Sequence, residues 1–252
     1  MKKRTKKTIQ IAAKVFLRLL LATVLCAILY ISMNVISTAF FSDVVGYKIF
    51  MQNEDQTVEL KTEYRYKDGE AVITAEDLEL ADNEMFSAIR EVSAPTKRVM
   101  DTISQILLLI VLGVFPYHIL WEFGNRDDTN VRYRGQRPDP LRGLKIGLLS
   151  VSPFVALWAV LVISKFVPAL NGVLTIYRLV SFPYLPFVNW MIGGVTATAE
   201  VALWRLLVLL VPVILVVPVV SAVAYRLGGH QFSVAEFLTF VKKKETDVEE
   251  EI

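Results

Sequence analysis

The sequence predicts an all-α integral membrane protein. The expected form is a four-span helical bundle, with five spans as the alternative, a small extracytoplasmic α/β loop element and a C-terminal amphipathic helix. Three observations carry this. Of 252 residues, 54% are hydrophobic and the mean hydropathy is +0.48, where soluble domains hold roughly 45–50% apolar residues. The apolar residues come in blocks: Leu19 to Phe41 is 23 residues without a charge, Thr102 to Trp121 is 20, and Ile146 to Ser164 and Leu206 to Ala224 are 19 each. At ~1.5 Å per residue such a helix matches a hydrocarbon core of about 30 Å. Finally, charge brackets each block: Arg18 and Asp43, Asp101 and Glu122, Lys145 and Lys165, Arg205 and Arg226.

The basic N-terminus, 1–14, opens with MKKRTKK, five of the 27 Lys and Arg within seven residues. Lys and Arg beside helix ends resist translocation, which assigns this end to the cytoplasm. The first membrane helix is expected over 15–41. Its apolar run exceeds the ~7–15 residues of a secretory signal, so an uncleaved anchor is expected. The one cysteine, Cys26, lies inside it, which excludes an intramolecular disulfide and a cysteine-rich metal site.

Residues 42–98 hold seven basic and thirteen acidic side chains and read as an outer element. Val58, Leu60, Thr62, Tyr64 and Tyr66 alternate, and Asp68-Gly69 suits a two-residue hairpin turn. Thr74 is placed to cap a short helix from Ala75. A second helix is expected from Glu84 to Glu91, with Phe86, Ile89 and Val92 as its apolar face. Ser93 then caps the second membrane helix, 99–121, with Pro95 tolerated in its first turn. The cytoplasmic loop 122–145 carries six basic and four acidic side chains.

The third membrane helix is expected over 146–168, with Ser150 and Ser152 ahead of Pro153, and the fourth over 200–225, interrupted by Pro212 and Pro218. Between them, 169–199 reads as re-entrant or interfacial. If it spanned, Arg226 and Lys242, Lys243 and Lys244 would fall outside, against the charge rule. Arg178 at mid-membrane would cost at least ~2.5 kcal/mol. Pro183 and Pro186 each remove a backbone donor. Past Arg226 the Gly228-Gly229 pair marks a helix end that wants left-handed geometry. Ser233-Val234-Ala235-Glu236 is a capping box. Val234, Phe237, Leu238 and Val241 then form the apolar face of a helix on the inner leaflet, within a 226–252 cytoplasmic tail.

Candidates for function are few. Interrupted membrane segments offer free helix ends, so Pro183, Pro186, Asn189, Gly193 and Gly194 form one candidate segment. Tyr177, Tyr184 and Trp190 there also suit headgroup-level anchors. His118 and Glu122 lie four apart on one helix face but make two ligands where zinc needs at least three, so no metal or cofactor is expected. Asp127, Asp128 and Asn130 lack the spacing of a calcium loop. Arg132, Arg134, Arg137 and Arg142, with Lys242, Lys243 and Lys244, suit contact with anionic lipid headgroups at the cytoplasmic face. Asn34 is the one amide well inside a span, suited to bond across to another helix. Walker A, H-E-x-x-H and G-x-S-x-G sequences are absent, and no nucleic-acid partner is expected. These features favour a non-enzymatic accessory or scaffold subunit in the cell membrane, with both termini cytoplasmic and other membrane subunits as partners. The alternatives are a small transporter or channel subunit acting at 181–194, and an enzyme using His118, Glu122 and Asp127 or Asp128.

Overall fold

The computed structural model describes residues 2–52, 58–66, 72, 73, 77, 80, 83–135, 139–170, 172–230 and 232. It is mostly helical, with one small sheet: α1 Lys2–Phe41, β1 Ser42–Gln52, β2 Val58–Arg65, β3 Glu84–Val92, α2 Ala94–Arg134, α3 Arg142–Ser164, α4 Val173–Val180, α5 Leu185–Ile192, α6 Leu203–Val208 and α7 Leu210–Gly229. Four helical stretches are long and apolar enough to cross a membrane: 5–41, 94–134, 142–164 and 203–229. The chain divides into two compact units, residues 1–26 with 109–252, and residues 27–108.

The helices outrun their apolar blocks. The basic N-terminus is part of α1, which at 40 residues is about 60 Å long. Likewise α2 continues past Trp121 to Arg134, so most of the expected 122–145 loop is helix, and α3 begins at Arg142 within it. The fourth span is two helices. Pro212 has no N–H to give the Val208 carbonyl, and the chain breaks at Leu209 between α6 and α7. Within α3, Pro153 deprives the Leu149 carbonyl in the same way, and the Ser152 hydroxyl donates to it instead at 2.8 Å. Ser150 donates to the Gly147 carbonyl, also at 2.8 Å.

In the larger unit, Ala12, Val15, Leu19, Ala22 and Cys26 of α1 are buried at alternating spacings of three and four, a coiled-coil-like seam. Leu112, Leu120 and Phe123 of α2, Ile146, Val151 and Leu161 of α3, and Val213, Val217 and Ala224 of α7 join it in the core, with Leu174 of α4 and Val188 and Ile192 of α5. Gly124 and Gly228 let α2 and α7 touch backbone to backbone: a Cβ on Gly228 would lie 2.0 Å from the Trp121 carbonyl oxygen, and one on Gly124 2.1 Å from that of Tyr225. Gly228 thus serves packing, not a left-handed cap. Helix α7 does end at Gly229, but the positive-φ glycines among the described residues are Gly135 and Gly193. The expected C-terminal amphipathic helix and Lys242, Lys243 and Lys244 lie outside the described residues.

The smaller unit corrects the outer element. It holds a three-stranded antiparallel sheet in the order β2-β1-β3. The expected helix over Glu84–Glu91 is β3, whose Phe86 pairs with Ile49 and whose Ile89 pairs with Gly46. Three-residue spacing imitated a helix, yet in a strand it puts Phe86 and Ile89 on opposite faces. Among the described residues β2 pairs with the preceding strand, β1. The Asp68-Gly69 turn and the Thr74 cap lie outside the described residues. Tyr47 of β1 contacts Tyr64 and Phe86 on its two neighbours, with ring centroids 5.6 and 5.8 Å apart, the cross-strand pairing that stabilises sheets. On the α1 segment of this unit, Asn34 donates to the Tyr30 carbonyl of its own helix at 2.9 Å and not to another helix. Ser32 and Thr38 do the same with Ile28 and Asn34, so these polar groups are satisfied without a neighbour. Ser93 bonds the Thr96 hydroxyl at 2.8 Å where α2 begins.

Candidate functional site: a buried ion pair joining four helices

The most heavily built polar site of the larger unit lies where α3 starts. A helix beginning at Arg142 turns that guanidinium inward, where it is 3% exposed. Its Nη1 lies 2.5 Å from Oδ2 of Asp127, which is 7% exposed on α2. The same Oδ2 accepts the Tyr225 hydroxyl of α7 at 2.9 Å, and Arg142 Nε donates to the Thr8 hydroxyl of α1 at 3.3 Å. The guanidinium carbon stands 4.7 Å from the Phe123 ring centroid, within cation–π range. Charges leave water only when paired and hydrogen-bonded. Here one carboxylate and one guanidinium collect bonds from four different helices.

A cleft of about 210 Å³ adjoins the pair, lined in part by Asp127, Asp128, Asp139, Arg226 and His230. Its carboxylates already have cations: Asp128 faces Arg132 at 2.8 Å and Asp139 faces Lys145 at 3.2 Å. Among the described residues no group of three or more His, Cys, Asp or Glu side chains is arranged to hold a metal. His118 is exposed one turn before Glu122, and Glu122 pairs with Arg126.

The second candidate, 181–194, consists of short pieces. Pro183 lies in a single 3-10 turn, Pro186 and Asn189 in the eight-residue α5, and Gly193 and Gly194 in the turn beyond it. At ~1.5 Å per residue, α5 is about 12 Å long, so the helix does not cross by itself. Pro183 and Pro186 are buried, and Asn189 is half-buried. Gly193 holds φ at +70°, and its carbonyl accepts a bond from Arg178 Nη2 at 2.7 Å, tying α4 to the end of α5. Just past α3, Lys165 Nζ reaches the Ala199 and Val201 carbonyls at 3.2 and 2.5 Å, and from within α3 Trp158 Nε1 reaches that of Leu206 at 2.8 Å. Beneath the segment is a cavity of about 20 Å³, its lining including Leu19, Thr23, Phe154, Tyr177, Ser181 and Tyr184. That is room for about one water. Burial pushes the Tyr177 hydroxyl up to about 12 and raises that of Tyr184 as well, so both are neutral hydrogen-bonding groups at ordinary pH.

The basic patch divides. Arg132 and Arg134 are exposed near the end of α2 and Arg142 is buried, facing the bundle and not a headgroup; Arg137 lies outside the described residues. Tyr225 and Thr8 had no signal of their own in the sequence. Asp127 stands in the sequence with Asp128 and Asn130 as a cluster without calcium-loop spacing, not as the partner of Arg142. Comparison with known protein families, with characterised proteins and with solved structures finds no match.

Proposed function

We propose that the protein is a multi-pass, non-enzymatic scaffold or accessory subunit of a membrane assembly, resident in the cell membrane with both termini in the cytoplasm. One observation carries this reading: the buried Arg142–Asp127 pair is engaged by α1, α2, α3 and α7. Such an arrangement supports a fixed frame for other subunits. The orientation rests on the basic residues beside the spans. It puts the Arg142–Asp127 pair at the inner face with anionic lipid nearby.

The transporter reading draws support from the broken segment, where Arg178 and Gly193 hold two short helices in a fixed turn. It draws none from the cavity beneath, which is sized for one water. Two experiments test the scaffold reading. The chain, purified from its own membrane in mild detergent and weighed intact, is expected to carry a second protein of fixed mass in fixed ratio. A lone chain that moves a solute across proteoliposomes refutes the proposal. For orientation, Cys26→Ser with Thr246→Cys is treated with a membrane-impermeant thiol reagent in intact cells. Protection until permeabilisation is expected; labelling in intact cells means five crossings.

A further inference from the structure

One exposed face of α1 carries cations that nothing described neutralises. Lys7, Lys14 and Arg18 are spaced seven and four residues apart, which stacks them along a single helix face. All three are exposed. The ion pairs among the described residues involve none of them. By contrast, Arg126, Arg132 and Arg142 each have a carboxylate, on Glu122, Asp128 and Asp127. The face is distinct from the buried seam through Val15, Leu19 and Ala22. Past Arg18 it continues three and seven residues on as Leu21 and Leu25, 53% and 41% exposed.

We propose that this face binds an anionic phospholipid. The Lys14 ammonium and Arg18 guanidinium take the phosphate, and one acyl chain lies along Leu21 and Leu25. Lys7, whose ammonium sits 5.8 Å from the Phe123 ring centroid, adds to the field from two turns further out. The proposal rests on the membrane reading above and names the lipid and residues that reading leaves open. Its chemistry follows the order along the helix. Cations give way to leucine at the point where the uncharged block begins at Leu19, and long basic side chains there reach for headgroups while their stems stay on apolar surface. A zwitterionic lipid presents its own ammonium to the same cations and gains less. Arg132 and Arg142, which the sequence singled out on α2 and α3, compete poorly for a headgroup, because their charge is already shared with carboxylates.

The test uses the full chain in nanodiscs of equal phosphatidylglycerol and phosphatidylcholine, with retained lipid weighed by native mass spectrometry. Each cation near an anionic surface is expected to contribute about a five-fold preference. The wild type should therefore retain phosphatidylglycerol selectively. Lys14→Gln with Arg18→Gln should cut that preference by up to about 25-fold, whereas the charge-keeping Lys14→Arg with Arg18→Lys should preserve it. Arg126→Gln with Arg132→Gln should leave it unchanged. The proposal is overturned if the wild type retains both lipids equally or if Lys14→Gln with Arg18→Gln keeps the preference. It also falls if the Arg126 and Arg132 changes remove as much. Displacement by inorganic phosphate at constant ionic strength would assign the cations to a soluble anion instead. Nanodiscs expose both leaflets, so this result does not depend on orientation, and thiol labelling at Thr246→Cys reports the topology separately.

Discussion

Removing one member of the Arg142–Asp127 pair is expected to destabilise the helical unit far more than removing both. In Asp127→Ala the guanidinium stays 3% exposed and loses its carboxylate, while the Tyr225 hydroxyl loses its acceptor. An uncompensated buried charge costs about 3–5 kcal/mol. Arg142→Met is expected to cost less than the loss of Asp127, because Asp127 keeps the Tyr225 hydroxyl as donor. Asp127→Leu with Arg142→Met replaces both charges with apolar groups of similar bulk. Such replacements of buried pairs are often neutral or even stabilising by about 1–4 kcal/mol, so the double variant should approach wild-type stability. The assay is SDS-induced unfolding of the full chain in mixed micelles, followed by helical circular dichroism, on the wild type, both singles and the double. A double-mutant cycle over the wild type, Asp127→Leu, Arg142→Met and the double isolates the pair. A cost below about 1 kcal/mol for Asp127→Ala, or a double variant as unstable as the sum of the singles, would refute the claim that this pair is desolvated and mutually dependent.

The same assay reads four further changes. Tyr225→Phe deletes one hydrogen bond to a charged acceptor and should cost about 1.5–3 kcal/mol, with no further loss when made in the Asp127→Ala background. Gly228→Ala puts a Cβ 2.0 Å from the Trp121 carbonyl oxygen; overpacking of this kind costs about 1–3 kcal/mol, and Gly229→Ala, with its nearest neighbour at 4.0 Å, should cost distinctly less. Gly193→Ala meets nothing within 4 Å but must hold φ +70°, so it should lose about 1–3 kcal/mol from backbone strain alone. Arg178→Ala, which removes the bond to the Gly193 carbonyl, should loosen the same turn, seen as faster amide exchange in α5.

How far the fold could be read in advance depended on what kind of signal each part emits. The spans announce themselves because an uncharged block such as Leu19–Phe41 has few other uses. The ends of the helices do not, because solvation leaves charged residues free to be helical: Arg126, Asp128 and Arg132 extend α2 through i,i+4 pairs where a loop was expected. The sheet was half legible. Alternation from Val58 to Tyr66 marks β2, but β1 is intermediate in burial along nearly its whole length, so neither face alternates cleanly. In β3 the spacing of Phe86, Ile89 and Val92 matched a helix better than a strand.

The site was the least legible part, for a geometric reason. Asp127 and Arg142 meet only if α2 stays helical beyond Trp121 and α3 starts at Arg142, since each helix phase decides whether a side chain turns in or out. Read as a loop, both residues belong to a solvated basic stretch. Read as two helices, α2 and α3, they face each other between Tyr225 and Thr8. The consequence runs the other way too. A residue pattern that marks a cytoplasmic loop by charge also hides which of its charges are buried. Of Arg132, Arg134 and Arg142, the helix phase turns Arg142 alone inward, while Arg132 and Arg134 stay exposed.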